Sequence, residues 1–253
     1  MKIGVYTAIF GNKDQLKLPI NYKKDSNIDY LLFTDNIDNA IFPYKVHKRA
    51  IVYDNITQNA RYYKIMGDDV LSNYDLLIWH DANIQLYHNE INNLITQAEN
   101  SFLTTFTHPH RDCFYSEAMS CIRVGKDFSL RILRQTIVCF LKGMPAQQGM
   151  YSTGILLKNM KFKQESLLLF WWLEVLNFSR RDQLSFSFMV YKKKLKVSVI
   201  DDDIFDNKYS IYHKHNYEVY KEKKNIMSYN YKYLRIGSMF ISQVLRKIKK
   251  INK

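Results

Sequence analysis

"LLIWHDANIQL", residues 76–86, decides how the rest of the chain is read. Leu76 to Trp79 are apolar enough for a buried strand. They run straight into His80, Asp81, Ala82 and Asn83, groups that are costly to bury unless they are paired. Ile84 and Leu86 then resume an apolar pattern around Gln85. A buried strand that ends in polar side chains suits an open α/β sheet, where ligands sit outside the carboxyl ends of strands.

Similar segments lie on either side. Residues 2–10 read as a first strand, with a turn at Gly11-Asn12. "DYLLFTDN" reads as a second strand, and "YKVHK" as a short third one. From Asn55 to about Leu71 the apolar residues fall at helical spacing. The strand at 75–80 follows, then a helix at 89–98 and a strand at "FLTTFT". Helices are expected near 114–122 and 127–141. A strand is expected at "MYSTGILLKN", an apolar helix at 163–177, a helix at "DQLSFSFMVYK" and a strand at "KLKVSVI". Alternating strands and helices predict one layered α/β unit over residues 1–215. Residues 216–253 read as a separate basic extension ending in a helix at about 238–251.

The polar strand ends supply the first candidate site: Thr7, Phe10 and Gly11, then Asp35, then Asp81 and Asn83. Asp81 and Asn83 are spaced to reach one ligand around a turn. Their oxygens suit a hard divalent ion such as Mg²⁺ or Mn²⁺; an Asx turn would use the same residues. Arg61 and Lys64 are three apart on a helix and so share a face that could meet phosphates. "THPHRDCFYSE", 107–117, crowds His108, His110 and Arg111 into a loop after a strand, with Asp112 able to cap the next helix. "IYHKHNY" repeats the H-x-H spacing at His213 and His215. Asp182 and Gln183 open a helical stretch, where Asp182 is a cap or a general base. There is no Walker loop, GxGxxG, GxSxG or HExxH, and no Cys/His zinc spacing. Cys113, Cys121 and Cys139 lack CxxC spacing and read as reduced thiols of a cytosolic protein. The N-terminus is too short and mixed for a signal peptide.

The order of "VYTAIFGNKDQL", "LLFTDN", "ARYYK", "LLIWHDANIQL", "HPHRDCFYSE" and "RRDQLSF" resembles the glycosyltransferase-like domain shared by plant mucilage-related and turgor-regulation proteins and bacterial polysaccharide-cluster proteins. That resemblance covers about residues 1–215. It implies a GT-A-like fold: one Rossmann-type nucleotide-sugar-binding domain with a mixed central sheet. By the resemblance, Asp81 and Asn83 match a D-x-D-like metal and diphosphate element, with Asn a departure that removes one charge. Arg61 matches the basic residue that meets the donor. Thr153 and Gly154 match the strand that lines the donor sugar. Asp182 and Gln183 match the late acidic element near the reacting centre, His110 joins them as a candidate catalytic group, and His213 or His215 matches a late metal ligand. A nucleotide-sugar donor, a glycan or lipid-linked acceptor and a divalent ion are the implied partners, in bacterial surface polysaccharide synthesis.

The charge is uneven. Ten Lys or Arg stand against Glu222 between Lys221 and Lys253, so the tail carries most of the net +13. Met239, Phe240, Ile241, Val244, Leu245, Ile248 and Ile251 lie at helical spacing, with Arg246, Lys247, Lys249 and Lys250 on the other face. Such a helix can lie on an anionic membrane, here the inner face of the cytoplasmic membrane, or pack back on the body. Nucleic acid is not an expected partner. Two rival functions stay open: a metal-dependent hydrolase of a lipid amide or ester using the H-x-H elements, and a non-catalytic binder of anionic polymers.

Overall fold

The computed structural model describes residues 1–11, 14–98, 100–214 and 228–251. In chain order the elements are β1 (Ile3–Ile9), β2 (Ile28–Thr34), β3 (Tyr44–Lys48), α1 (Ile56–Ile65), β4 (Leu76–His80), β5 (Ile84–Leu86), α2 (Ile91–Thr96), β6 (Leu103–Thr107), α3 (Phe114–Val124) and α4 (Ser129–Leu141). They continue with β7 (Tyr151–Asn159), α5 (Glu165–Asn177), α6 (Asp182–Lys193), β8 (Ser198–Ile200), β9 (Asp206–Asn207), β10 (Ser210–Tyr212) and α7 (Ser228–Ile251). By their contacts the described residues divide into two compact units. The first lies within Met1–Pro109, Ser152–Trp172 and Lys196–Asn216, and the second within His110–Tyr151, Leu173–Leu195 and Tyr217–Lys253. One of these borders, between Asn216 and Tyr217, falls beside the 215/216 border that the charge shift suggests, and the others lie within residues 1–215.

The first unit is built on a seven-stranded sheet of order β3-β2-β1-β4-β7-β6-β8. β1 runs parallel to β2 on one side and to β4 on the other. The chain therefore winds outward from β1 to β3 and then restarts at β4, which makes the β1/β4 boundary a topological switch point. β7 runs antiparallel to β4, so the sheet is mixed as expected. A small second sheet, β5-β10-β9, is antiparallel. The sequence reading did not resolve it, because strands of two or three residues carry no measurable period.

Side chains alternate across a strand, which sorts the two faces. Ile3, Val5 and Ile9 of β1, Leu76 and Ile78 of β4, and Ile155 and Leu157 of β7 join Ile91, Leu94 and Ile95 of α2 in one apolar core. The intervening residues Tyr6, Leu77, Trp79 and Lys158 lie on the opposite face, and α1 packs against β1. α1 starts where the Asn55 side chain accepts the Thr57 N–H. It stops at Ile65, six residues short of the sequence expectation, because Gly67 turns left-handed (φ 85°) and the chain re-enters as a 3₁₀ turn over Asp69–Asn73.

In the second unit α7 packs on α3 and α4, and α3 packs on α6. α7 begins ten residues before the helix expected from the sequence. Cys113, Cys121 and Cys139 are free and buried. Among the described residues no helix is long and apolar enough to cross a membrane.

Candidate functional site

The alternation of β4 resolves the knot at its end. His80 follows Ile78 onto the core face. Its Nδ1 lies 2.8 Å from the Ile84 carbonyl and its Nε2 3.1 Å from the Tyr44 hydroxyl. The carbonyl requires an N–H at Nδ1, and burial keeps the ring neutral, so Nε2 accepts from the tyrosine hydroxyl. Burial pushes His80 down to about 4, against the raising effect of the Asp81 and Ile84 carbonyls.

Asp81 points the other way, with Trp79, towards α1. Its Oδ1 accepts from Arg61 Nη1 at 2.9 Å and from the Trp79 indole N–H at 2.9 Å, and Lys64 Nζ stands 3.6 Å away. Arg61 and Lys64 reach it together because they are three apart on α1. Burial opposes ionisation of Asp81. The charges of Arg61 and Lys64 with the Trp79 N–H outweigh it and hold the carboxyl well below the usual carboxylate range. Lys64 is fully buried, and its Nζ also donates to Thr153 Oγ1 at 3.0 Å. Arg61 and Lys64 thus bring two cations to the Asp81 carboxylate.

β7 closes the other side. The Asp81 N–H donates to the Gly154 carbonyl at 2.7 Å. A Cβ on Gly154 would stand 2.9 Å from Ile84 Cδ1 and 4.0 Å from Asp81 Oδ2, so a side chain there would press on the end of Ile84 and narrow this approach. Farther along β7, Lys158 is buried and donates from Nζ to the Lys64 and Ile65 carbonyls at 2.6 and 2.8 Å. It satisfies the C-terminal end of α1, and burial with the charges of Lys64 and Lys163 pushes it down to about 7. At the end of β1, Gly11 is left-handed and donates its N–H to the Asp35 carboxylate at 3.0 Å, tying two strand ends together. Phe10 is buried and stacks on Tyr63 at 5.5 Å, and Thr7 Oγ1 is buried with no hydrogen-bond partner among the described residues.

Asp81 and Arg61, two positions that the resemblance marks, thus meet at the switch point. The family model for the TOD1/MUCI70 glycosyltransferase-like domain matches residues 1–215. The chain belongs to that family. No curated protein matches the chain. The mixed α/β architecture with its seven-stranded sheet accords with the Rossmann-type fold expected for such a glycosyltransferase-like domain.

The residues to which the resemblance assigns a divalent ion are in part engaged with other protein groups. Asp81 Oδ1 is already occupied by Arg61 and Trp79. Asn83 spends its amide on the His213 carbonyl at 2.8 Å, while the His213 N–H returns to the Asn83 carbonyl at 2.9 Å. His213 Nε2 lies 2.9 Å from Gln85 Oε1. This reciprocal pairing extends the β5–β10 ladder; it gathers no ligand set. Among the described residues no three His, Cys, Asp or Glu side chains stand close enough to hold a metal. His215 lies outside the described residues.

The remaining candidates of this glycosyltransferase-like chain fall elsewhere. His108 belongs to the first unit, His110 and Arg111 to the second. Arg111 donates from Nη1 to the buried Glu117 at 2.9 Å. Asp112 does not cap α3; Cys113 holds that position, and Asp112 accepts from Gln147 and the Gly149 N–H instead. Asp182 is buried in the first turn of α6, and Gln183 accepts from Arg181 at 3.0 Å. Sequence reasoning missed Trp79 and Lys158. Trp79 stands two residues before Asp81, and Lys158 interrupts an apolar strand, which were the available signals.

Proposed function

We propose that this chain transfers a sugar from a nucleotide-sugar donor to a glycan or lipid-linked acceptor, in the synthesis of a bacterial surface polysaccharide. The carrying observation is the Asp81–Arg61–Lys64 cluster at the β1/β4 switch point. Sugar transfer builds negative charge on the leaving diphosphate, and fixed cations in a low-dielectric cleft stabilise it at little reorganisation cost. Arg61 is the cation of the cluster that keeps some exposure, 13 % of its side chain, and is assigned to the diphosphate. Lys64 is enclosed and acts through Asp81. Asp81, 27 % exposed, keeps Oδ2 on the Gly154 side, where it can accept from a hydroxyl of the donor. The hydrolase alternative rests on the H-x-H pairs, and no described trio of metal-ligating side chains gathers at either.

Thermal shift of the purified chain with UDP, GDP, CDP and CMP, each with and without Mn²⁺, tests the reading. One nucleotide stabilises by about 2.7 kcal/mol at a hundredfold excess over Kd. The shift is lost in Arg61→Ala, which leaves Lys64 to neutralise Asp81. No shift with any nucleotide, in protein shown to be folded, removes the transferase reading.

A further inference from the structure

α7 is mounted on its unit the wrong way round for an ordinary surface helix. A surface helix buries its apolar stripe and shows its polar face to water. Among the described side chains of α7 the fully buried ones are Ser238 and Ser242, both small and polar, with Met239 and Leu245 half-buried, on a helix that packs on α3 and α4. Phe240 is 66 % exposed and Ile236 56 %, and Leu234, Ile241, Val244 and Ile248 are exposed as well. Ile236, Phe240, Val244 and Ile248 follow one another at spacings of four. They form one stripe on the side of the helix away from Ser238 and Ser242.

Specific contacts hold the helix in this orientation. Arg235 donates from Nη2 to the Arg123 carbonyl of α3. Lys249 Nζ sits 4.6 Å from the centre of the Phe140 ring of α4. Lys232, Lys247 and Lys250 stay exposed. No acidic residue occurs between Lys232 and Lys250, so an exposed apolar stripe runs through a purely cationic field.

We infer that this face of α7 docks into the headgroup layer of an anionic lipid bilayer, with Phe240 and Val244 entering the acyl boundary and Lys247 and Lys250 meeting lipid phosphates. The charge argues for lipid over a second copy of the chain, since two such faces would press like charges together. An apolar stripe with cations and no acid is the composition that an anionic interface selects. The inference goes beyond the transferase reading and does not depend on it.

Sedimentation of the full chain with vesicles tests it. The chain sediments with phosphatidylcholine–phosphatidylglycerol vesicles and stays in solution with phosphatidylcholine alone. Phe240→Ser with Val244→Ser abolishes sedimentation and leaves the melting curve unchanged, because both side chains point outward. Lys247→Gln with Lys250→Gln weakens binding roughly 25-fold, about fivefold per charge. Binding that survives the serine pair, or no binding to either vesicle, overturns the inference. A dimer in solution that the serine pair dissolves also overturns it, by assigning the stripe to a second copy. Nucleotide-induced thermal shift, followed in the same variants, stays as in the unmodified chain, so the two proposals fail separately.

Discussion

Replacing Asp81 by Asn removes the carboxylate that the enclosed Lys64 faces, while Arg61 and Trp79 lose an ionic acceptor. Breaking a buried ion pair from one side costs about 3 kcal/mol. Lys64→Met is the contrasting change: Asp81 keeps Arg61, and an apolar chain fills the enclosed space. We expect Asp81→Asn to lower the urea midpoint by far more than Lys64→Met, with an unchanged m-value for both. Equal losses would show that Lys64 depends little on Asp81. Much of this cluster was legible in the sequence. Asp81, Arg61, Lys64, Thr153 and Gly154 were all marked, and they meet in one place. The role of Asn83 and His213 was not legible, because metal ligation and strand pairing use the same residue types. The reciprocal bonds between them connect positions 130 apart in the chain.

Helix α1 presents both cations, and its far end is secured by a residue of β7. Lys158 fills a position in an apolar strand, paired with Leu77, and spends its ammonium on the Lys64 and Ile65 carbonyls. These belong to the last turn of the helix, which has no acceptors' partners of its own. Lys158→Met keeps the volume and takes the Lys158 donor from the Ile65 carbonyl, at about 1–3 kcal/mol, while the Lys64 carbonyl keeps the Tyr6 hydroxyl as a donor. The expected outcome is a melting temperature lower by about 2–12 °C, taking about 2–4 °C per kcal/mol for a chain of this size, together with weaker nucleotide binding as Arg61 loses its platform. A normal melting temperature with weakened binding would instead place Lys158 in direct contact with the donor. The helix itself was legible from its period, but not its end. Val70 keeps the apolar spacing past Gly67, so the pattern overran a break that only the left-handed glycine imposes.

Acid sensitivity of the whole chain follows from where its histidines sit. His80, His47 and His88 are all lowered, burial being the largest cause in each case. A histidine whose folded value lies below its unfolded value of about 6.5 stays neutral in the fold while the unfolded chain takes up a proton. Its contribution is therefore complete above that value and is lost as pH falls towards the folded one. For His80, held at about 4, the loss runs from pH ~6.5 to ~4 and amounts to about 3 kcal/mol. Asp81, Asp68 and Asp29 are lowered in the opposite chemical sense, with basic partners outweighing burial. Their contribution persists through this window and is lost only below the ordinary carboxylate range near 4. The acid limb thus has two steps, histidines first and carboxylates second. His80→Gln separates them, since its amide can donate to the Ile84 carbonyl and accept from Tyr44 without titrating. Urea unfolding, followed by circular dichroism from neutral pH down to about 4.5, should show the midpoint falling in the unmodified chain and falling distinctly less in His80→Gln. The same slope in both would mean that His80 takes up its proton without unfolding, and that Tyr44 and the two carbonyls tolerate an imidazolium at the end of β4.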